Sequence, residues 1–196
     1  MTRCIHCTRC IRMLREVAGK MELGATGRGE NMEIGTYIET SLESELSGNV
    51  IDVCPVGALT SRPFRFKARA WELQQHSTIA PHDCVGSNLF AHTRRGQVMR
   101  VVPRENEELN EVWLSDRDRF SYEGLYGEDR LQAPMVKADG EWQTVDWETG
   151  LQAAVDATRA VIDAHGADQL GVLVSPSATL EEMSLLQALA RGLGVN

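Results

Sequence analysis

No uninterrupted apolar run in the 196 residues approaches the ~20 that a membrane-crossing helix requires, so the sequence predicts no direct membrane span. Aromatic residues are few, at 6%, yet 42% of the chain is hydrophobic and 24% charged. That balance leaves room for a core and excludes wholesale disorder or a collagen-like chain. Basic side chains are the minority, 20 against 28 acidic, giving a formal net charge of -8. A phosphate-binding surface is basic, so nucleic acid is not an expected partner. The N-terminus has no apolar segment after its first charges, so no secretory leader is read and reduced, intracellular cysteines are expected. There is no Walker lysine motif and no G-x-S-x-G elbow. Gly27-Arg28-Gly29 lacks the later glycine and preceding strand of a dinucleotide-binding turn, so NAD is expected to bind elsewhere. His76, His82, His92 and His165 are too scattered to suggest a histidine metal site, and no catalytic residue is assigned.

What the chain does have is crowded cysteine. Of five, Cys4, Cys7 and Cys10 fall within CIHCTRC, followed by Cys54 and Cys84. The odd count and lack of an export signal argue against disulfides. C-x2-C-x2-C lets three thiolates of one tight loop converge on a single centre. Cys54 supplies a fourth, and its Cys-Pro pair matches the last ligand position of bacterial-ferredoxin-type motifs. The expected cofactor is therefore a [4Fe-4S] cluster on Cys4, Cys7, Cys10 and Cys54. A closed four-thiolate zinc site is the alternative, although zinc frames usually pair two C-x2-C units. Arg3, Arg9, Arg12, Arg15 and Lys20 stand against Glu16 alone in the first twenty residues, which suits a negative centre. His6 reads as a surface residue near the cluster, and Cys84 as a small buried residue. The acidic run over 105–130 reads as a solvated loop.

At 196 residues, one to two domains are expected. Ile11, Leu14 and Ala18 predict a short helix over 7–18, with Gly19 as its stop. Residues 24–40, with Met32, Ile34, Tyr37 and Ile38 among glycines, suggest a hairpin or irregular strands, and 43–53 a helix that delivers Cys54. Alternating segments around 85–92 and 97–102, split by Thr93-Arg94-Arg95-Gly96, predict a β-hairpin. Further on, 147–164 is helical in pattern, 169–174 is a short apolar run and 180–193 is helical again, which reads as the opening of an α/β sheet. Trp142 and Trp147 read as packing residues at a domain start.

Together, CIHCTRCIRM, GRGENMEIGTYIE, SELSGNVIDVCPVGALTSRPFRFKARAWEL, VGSN, GQVMRVVPR and WLSDRDRFSYEGL, followed by RLQAPMV, resemble the large iron-sulfur subunit family of NADH-quinone oxidoreductase (respiratory complex I), also called the 75 kDa or G subunit. The resemblance runs from Thr2 to about Val136 and more loosely beyond. It implies an α+β chain: a ferredoxin-like [4Fe-4S] lobe over 1–75, a β-rich first lobe of a molybdopterin-oxidoreductase-like domain over 76–132, and the start of its α/β domain over 133–196, truncated at both ends. It also implies electron transfer from NADH and FMN towards quinone. The implied partners are the flavin/NADH-binding subunit and downstream iron-sulfur subunits of the peripheral arm. The implied location is peripheral, on the cytoplasmic side of the bacterial inner membrane or the matrix side of the mitochondrial one.

Departures from the family qualify this. The family's binuclear-cluster domain and its histidine-ligated tetranuclear cluster precede anything present here, so the other clusters are expected outside this stretch, and the chain reads as a fragment inactive alone. In the 76–132 lobe, Cys84 is the only cysteine and Ser115 stands near a position where relatives of that fold place a ligand. No second cluster and no molybdopterin are therefore expected. A soluble NAD-linked hydrogenase or formate dehydrogenase subunit, and a noncatalytic zinc-stabilised module, remain the alternatives.

Overall fold

Helix α1, Arg9–Glu16, buries Cys10, Met13 and Leu14 on one face, the i, i+3, i+4 set that a 3.6-residue period aligns. Their counterparts are Leu23, Ile34 and Val50, which complete the first core cluster. The expected hairpin over 24–40 is there in brief, with β1, Gly24–Thr26, antiparallel to β2, Glu33–Gly35. The computed structural model describes residues 2–36, 38 and 40–195; Tyr37, assigned to this hairpin on sequence, lies outside them.

The helix expected over 43–53 is shorter than its apolar pattern suggested. A 3-10 turn at Ser47–Asn49 leads into α2, Val50–Val53. Polar side chains supply the reason. Glu22 accepts from the Glu43 and Ser44 backbone N–H groups, and the Ser44 hydroxyl accepts from Leu46 N–H. Such local bonds compete with the helical ladder.

A three-stranded antiparallel sheet follows, ordered β3 (Gln74–Ile79), β4 (Asn88–Arg94), β5 (Gln97–Pro103). The β4–β5 turn sets Arg95 and Gly96 at φ 52° and 77°, the pair of left-handed residues that a two-residue hairpin loop demands. Strand β3 has no counterpart in the sequence reading, because Gln-Gln-His-Ser-Thr-Ile shows no apolar alternation and every residue is exposed. Its pairing with β4 holds it there, from Gln74 opposite Thr93 to Ile79 opposite Asn88. Ala80, Leu89, Val101 and Leu114 form the second core cluster.

Between β4 and β5, Arg100 Nε donates to His92 Nδ1 at 2.9 Å, and His92 Nε2 is buried without a partner among the described residues. Burial, then the Arg100 charge, holds the ring below its ordinary 6.5. A depressed folded value means full stability above about pH 6.5 and a loss as the pH falls through the folded value. Urea midpoints at about pH 7.5 and 5.5 are expected to fall more for the parent than for His92→Gln; equal falls would remove His92 as the cause.

The chain divides into two compact units, Met1–Tyr126 and Gly127–Asn196. Within the first, the segment 113–119 joins both cores: Trp113 packs on the first cluster while Leu114 belongs to the second. Here the reading of 105–130 as a solvated loop is corrected for 114–120 alone; Glu105, Glu107, Glu108, Glu111, Glu123, Glu128 and Asp129 are exposed as expected. Helix α3, Asp116–Phe120, buries Asp118 and Arg119, with Ser115 Oγ capping it by accepting from Asp118 N–H at 3.1 Å. Asp116 accepts from Gly48 N–H at 2.6 Å and from the Ser47 hydroxyl, while its own N–H donates to Glu45 C=O. Half-buried Asp116 thus ties α3 to the 45–48 turn.

In the second unit, a hairpin of β6 (Met135–Ala138) and β7 (Glu141–Thr144) precedes α4 (Trp147–His165) and α5 (Leu180–Gly192). Asp146 caps α4 by accepting from Thr149 N–H, which holds its carboxyl below the usual range. Thr179 and Glu182 form a reciprocal capping box on α5. The apolar run 169–174 is not a strand: Leu173 is 101% exposed, and among the described residues no strand pairs with it. A lone strand has no ladder to satisfy its backbone. Trp142 and Trp147 are 64% and 71% exposed, so the packing reading of that pair is also corrected. Neither α4 nor α5 buries a residue.

Candidate metal centre

The loop carrying the first three cysteines is built on unusual backbone. His6 and Thr8, the residues beside Cys7, adopt left-handed φ of 51° and 59°. Each such non-glycine residue costs of order 1 kcal/mol, and this strain is concentrated where the thiols must turn inward. Cys10 stands in the first turn of α1 and is buried; Cys4 and Cys7 are half-buried. Cys54 ends α2 in extended conformation. Contacts between α1 and α2 then bring it back across forty-odd positions of chain.

All four thiols line one pocket. Ile5, Ile34, Val56 and Leu59 supply its apolar wall, and Arg9 is its one charged residue. All four are free rather than disulfide-bonded. Two sulfurs already accept backbone hydrogen bonds, Cys4 from His6 N–H at 3.4 Å and Cys54 from Ala58 N–H at 3.2 Å. Left-handed Gly57, at φ 62°, lets the chain after Pro55 wrap its amides around the Cys54 sulfur. Burial raises the Cys54 thiol, but the N–H groups of Leu59, Val56, Ala58 and Gly57 together outweigh it and lower the net value. Cys10 goes the other way, raised first by burial and further by Cys7 and Cys4, against backbone N–H groups of Ile11 and Cys10. Four thiols with one cation at the rim and amides aimed at sulfur suit a group that carries negative charge on its sulfur ligands.

Although the thiols share a pocket, among the described residues no three or more His, Cys, Asp or Glu side chains are placed to hold one metal ion. His6 is half-buried and contributes its backbone N–H to Cys4. Cys84 is exposed and does not line the thiol pocket, which corrects its reading as a buried small residue. The Ser115 hydroxyl is occupied by the α3 cap.

The residues that sequence reasoning missed lie behind Cys54. Asn49 is 0% exposed, and its amide bonds Leu46 C=O, Leu114 C=O and Leu114 N–H at 3.0, 2.7 and 3.0 Å. Arg119 Nη2 donates to Asn49 Oδ1 at 2.9 Å and to Asp52 Oδ2 at 2.6 Å. The available signal was the i, i+3 spacing of Asn49 and Asp52 just ahead of the ligand, two polar residues facing the same way on a turn.

Comparison with known proteins divides the chain into three matched stretches. Residues 1–60 match the family model described as NADH-quinone oxidoreductase subunit 3, ferredoxin-like domain, and residues 73–123 match NADH-ubiquinone oxidoreductase NDSU1/NuoG-like, 4Fe-4S domain. Residues 130–196 match molybdopterin oxidoreductase. The chain is 45% identical over all 196 residues to the NADH-quinone oxidoreductase G subunit of Rickettsia bellii, of which it covers 28%. It is 55% identical over 148 residues, 76% of the chain, to 21% of the NADH-ubiquinone oxidoreductase 75 kDa subunit of Reclinomonas americana. It is 54% identical over 162 residues, 82% of the chain, to 22% of the mitochondrial NADH dehydrogenase [ubiquinone] iron-sulfur protein 1 of Solanum tuberosum. The chain thus spans under a third of the length of these relatives.

Proposed function

We propose, from the premise that the chain belongs to the 75 kDa or G iron-sulfur subunit family of NADH-quinone oxidoreductase, that its first lobe carries electrons through one [4Fe-4S] cluster held by Cys4, Cys7, Cys10 and Cys54. The observation that carries the reading is the shared pocket: thiols from two distant stretches of sequence line it with no other donor type among them. The donor set fits the group, since all-cysteine ligation is the usual tetranuclear arrangement. The spacing favours a cluster over zinc, since zinc frames usually pair two C-x2-C units whereas here three thiols of one loop are joined by a distant Cys-Pro.

When bound, such a cluster accepts and releases one electron. The rest is work for this chain's own residues. Buried Ile34 and half-buried Val56 and Leu59 keep water from the sulfurs, Arg9 offsets negative charge, and the amides at His6 and Ala58 stabilise sulfur. In the assembled oxidoreductase the lobe passes electrons from the flavin/NADH-binding subunit to downstream iron-sulfur subunits. It sits on the peripheral arm at the cytoplasmic or matrix side, and no described helix is long and apolar enough to cross a membrane.

The 73–123 stretch matches a 4Fe-4S domain but holds Cys84 alone, so a second cluster is not assigned to it. Cys84→Ser is expected to leave iron content and the visible spectrum within error of the parent; a loss of iron would place Cys84 among the ligands. For the function itself, the assembled oxidoreductase containing this chain in its full-length subunit is frozen after adding NADH, then again after adding quinone. The lobe's cluster signal is expected to appear with NADH and fade with quinone. A signal that NADH leaves untouched would overturn the electron-transfer role.

A further inference from the structure

Behind the thiol pocket, α2 is gripped from the second lobe. Arg119 of α3 is 4% exposed and sends one nitrogen to two acceptors a helical turn apart, Asn49 Oδ1 and Asp52 Oδ2. The second acceptor stands two residues before Cys54. Asn49 holds both backbone groups of Leu114. Gly48 leaves no slack: a Cβ there would lie 2.6 Å from Asp116 Oδ1 and 2.7 Å from Arg119 Cδ. Trp113 meanwhile packs onto the first core. A merely adhesive joint would not need a buried guanidinium, because replacing such a pair by apolar groups is often neutral for stability.

We propose that Arg119 is a positioning residue for the cluster, its guanidinium fixing the turn that presents Cys54 and cancelling the Asp52 carboxylate beside it, so that the second lobe sets the reduction potential of the first. The inference rests on Cys54 being a ligand. It gives the 73–123 stretch, with its single cysteine, a part in electron transfer without a cluster of its own. Removing the guanidinium leaves a negative charge next to the centre, which disfavours adding an electron; removing the carboxylate alone leaves a positive charge, which favours it. Arg100 of β5 feels the same carboxylate and stays in place in every variant, so the difference reads Arg119.

The test uses the full chain loaded with iron and sulfide without oxygen, poised at the parent's midpoint, where half of the clusters are reduced. Arg119→Met is expected to lower the reduced-to-oxidised ratio about threefold or more, and Asp52→Asn to raise it by as much. The double variant is expected to return to within about twofold of the parent, and Arg119→Lys to fall between Arg119→Met and the parent. Arg117→Met removes an exposed arginine of the same helix, paired with Asp83, and is expected to leave the ratio unchanged. Where Arg119→Met does not fold, Asp52→Asn and Arg119→Lys decide, since both keep a buried partner. Variants with parental iron content, ratio and EPR line shape would overturn the proposal. Loss of the ligand assignment shows separately, as a Cys54→Ser chain that keeps its cluster.

Discussion

Cys54→Ser is expected to abolish the centre: visible absorbance and the reduced-state EPR signal should fall at least about tenfold, while Cys84→Ser keeps both. The expectation follows from how Cys54 is delivered. It is the one thiol outside the 4–10 loop in the pocket, and its sulfur alone receives amides of the 56–59 turn. A serine oxygen is a harder donor and loses the thiolate character that iron-sulfur ligation uses. Because a bound group that favours only the folded state adds its binding energy to folding, the loaded variant should also melt below the loaded parent. Matching spectra for Cys54→Ser and the parent, at equal iron content, would remove Cys54 from the ligand set.

Asn49→Leu is expected to be the most destabilising change away from the thiols. The side chain is 0% exposed and forms four hydrogen bonds, three of them to Leu114 and Arg119, far along the chain. Leucine fills the space but leaves the Leu114 N–H and both carbonyls unpaired, and it strips Arg119 of one acceptor. Leaving buried backbone groups unsatisfied costs about 1–3 kcal/mol each, so a total of about 4 kcal/mol is expected after relaxation. That corresponds to a fall of roughly 10 °C in the melting temperature. Thermal unfolding of the apo chain measures it free of any cluster effect. A fall within about 2 °C would show that the join between the two core clusters does not depend on this amide.

That Cys4, Cys7, Cys10 and Cys54 belong to one pocket was legible because cysteine spacing and the Cys-Pro pair are local features. α1, α4 and α5 were legible for a related reason: their apolar positions recur at helical spacing over at least two turns. What sequence reasoning lost was carried by contacts far apart in the chain. Asp116 and Arg119 stand in an acidic run that is indistinguishable, by composition, from a solvated loop; only folding shows that Gly48 and Asp52 meet them. Strand β3 contains no apolar alternation, since its place is fixed by the backbone of β4. The run at 169–174 misled in the opposite sense, having strand composition without a strand to pair with. Cys84 was assigned by the burial habit of cysteine in general, and the exposed loop before β4 overrides that habit.

Iron and acid-labile sulfide counts on the full chain, loaded and purified without oxygen, test the central claim most directly. About four irons and about four sulfides per chain, with brown colour, are expected; one zinc per chain, colourless and without sulfide, would contradict it.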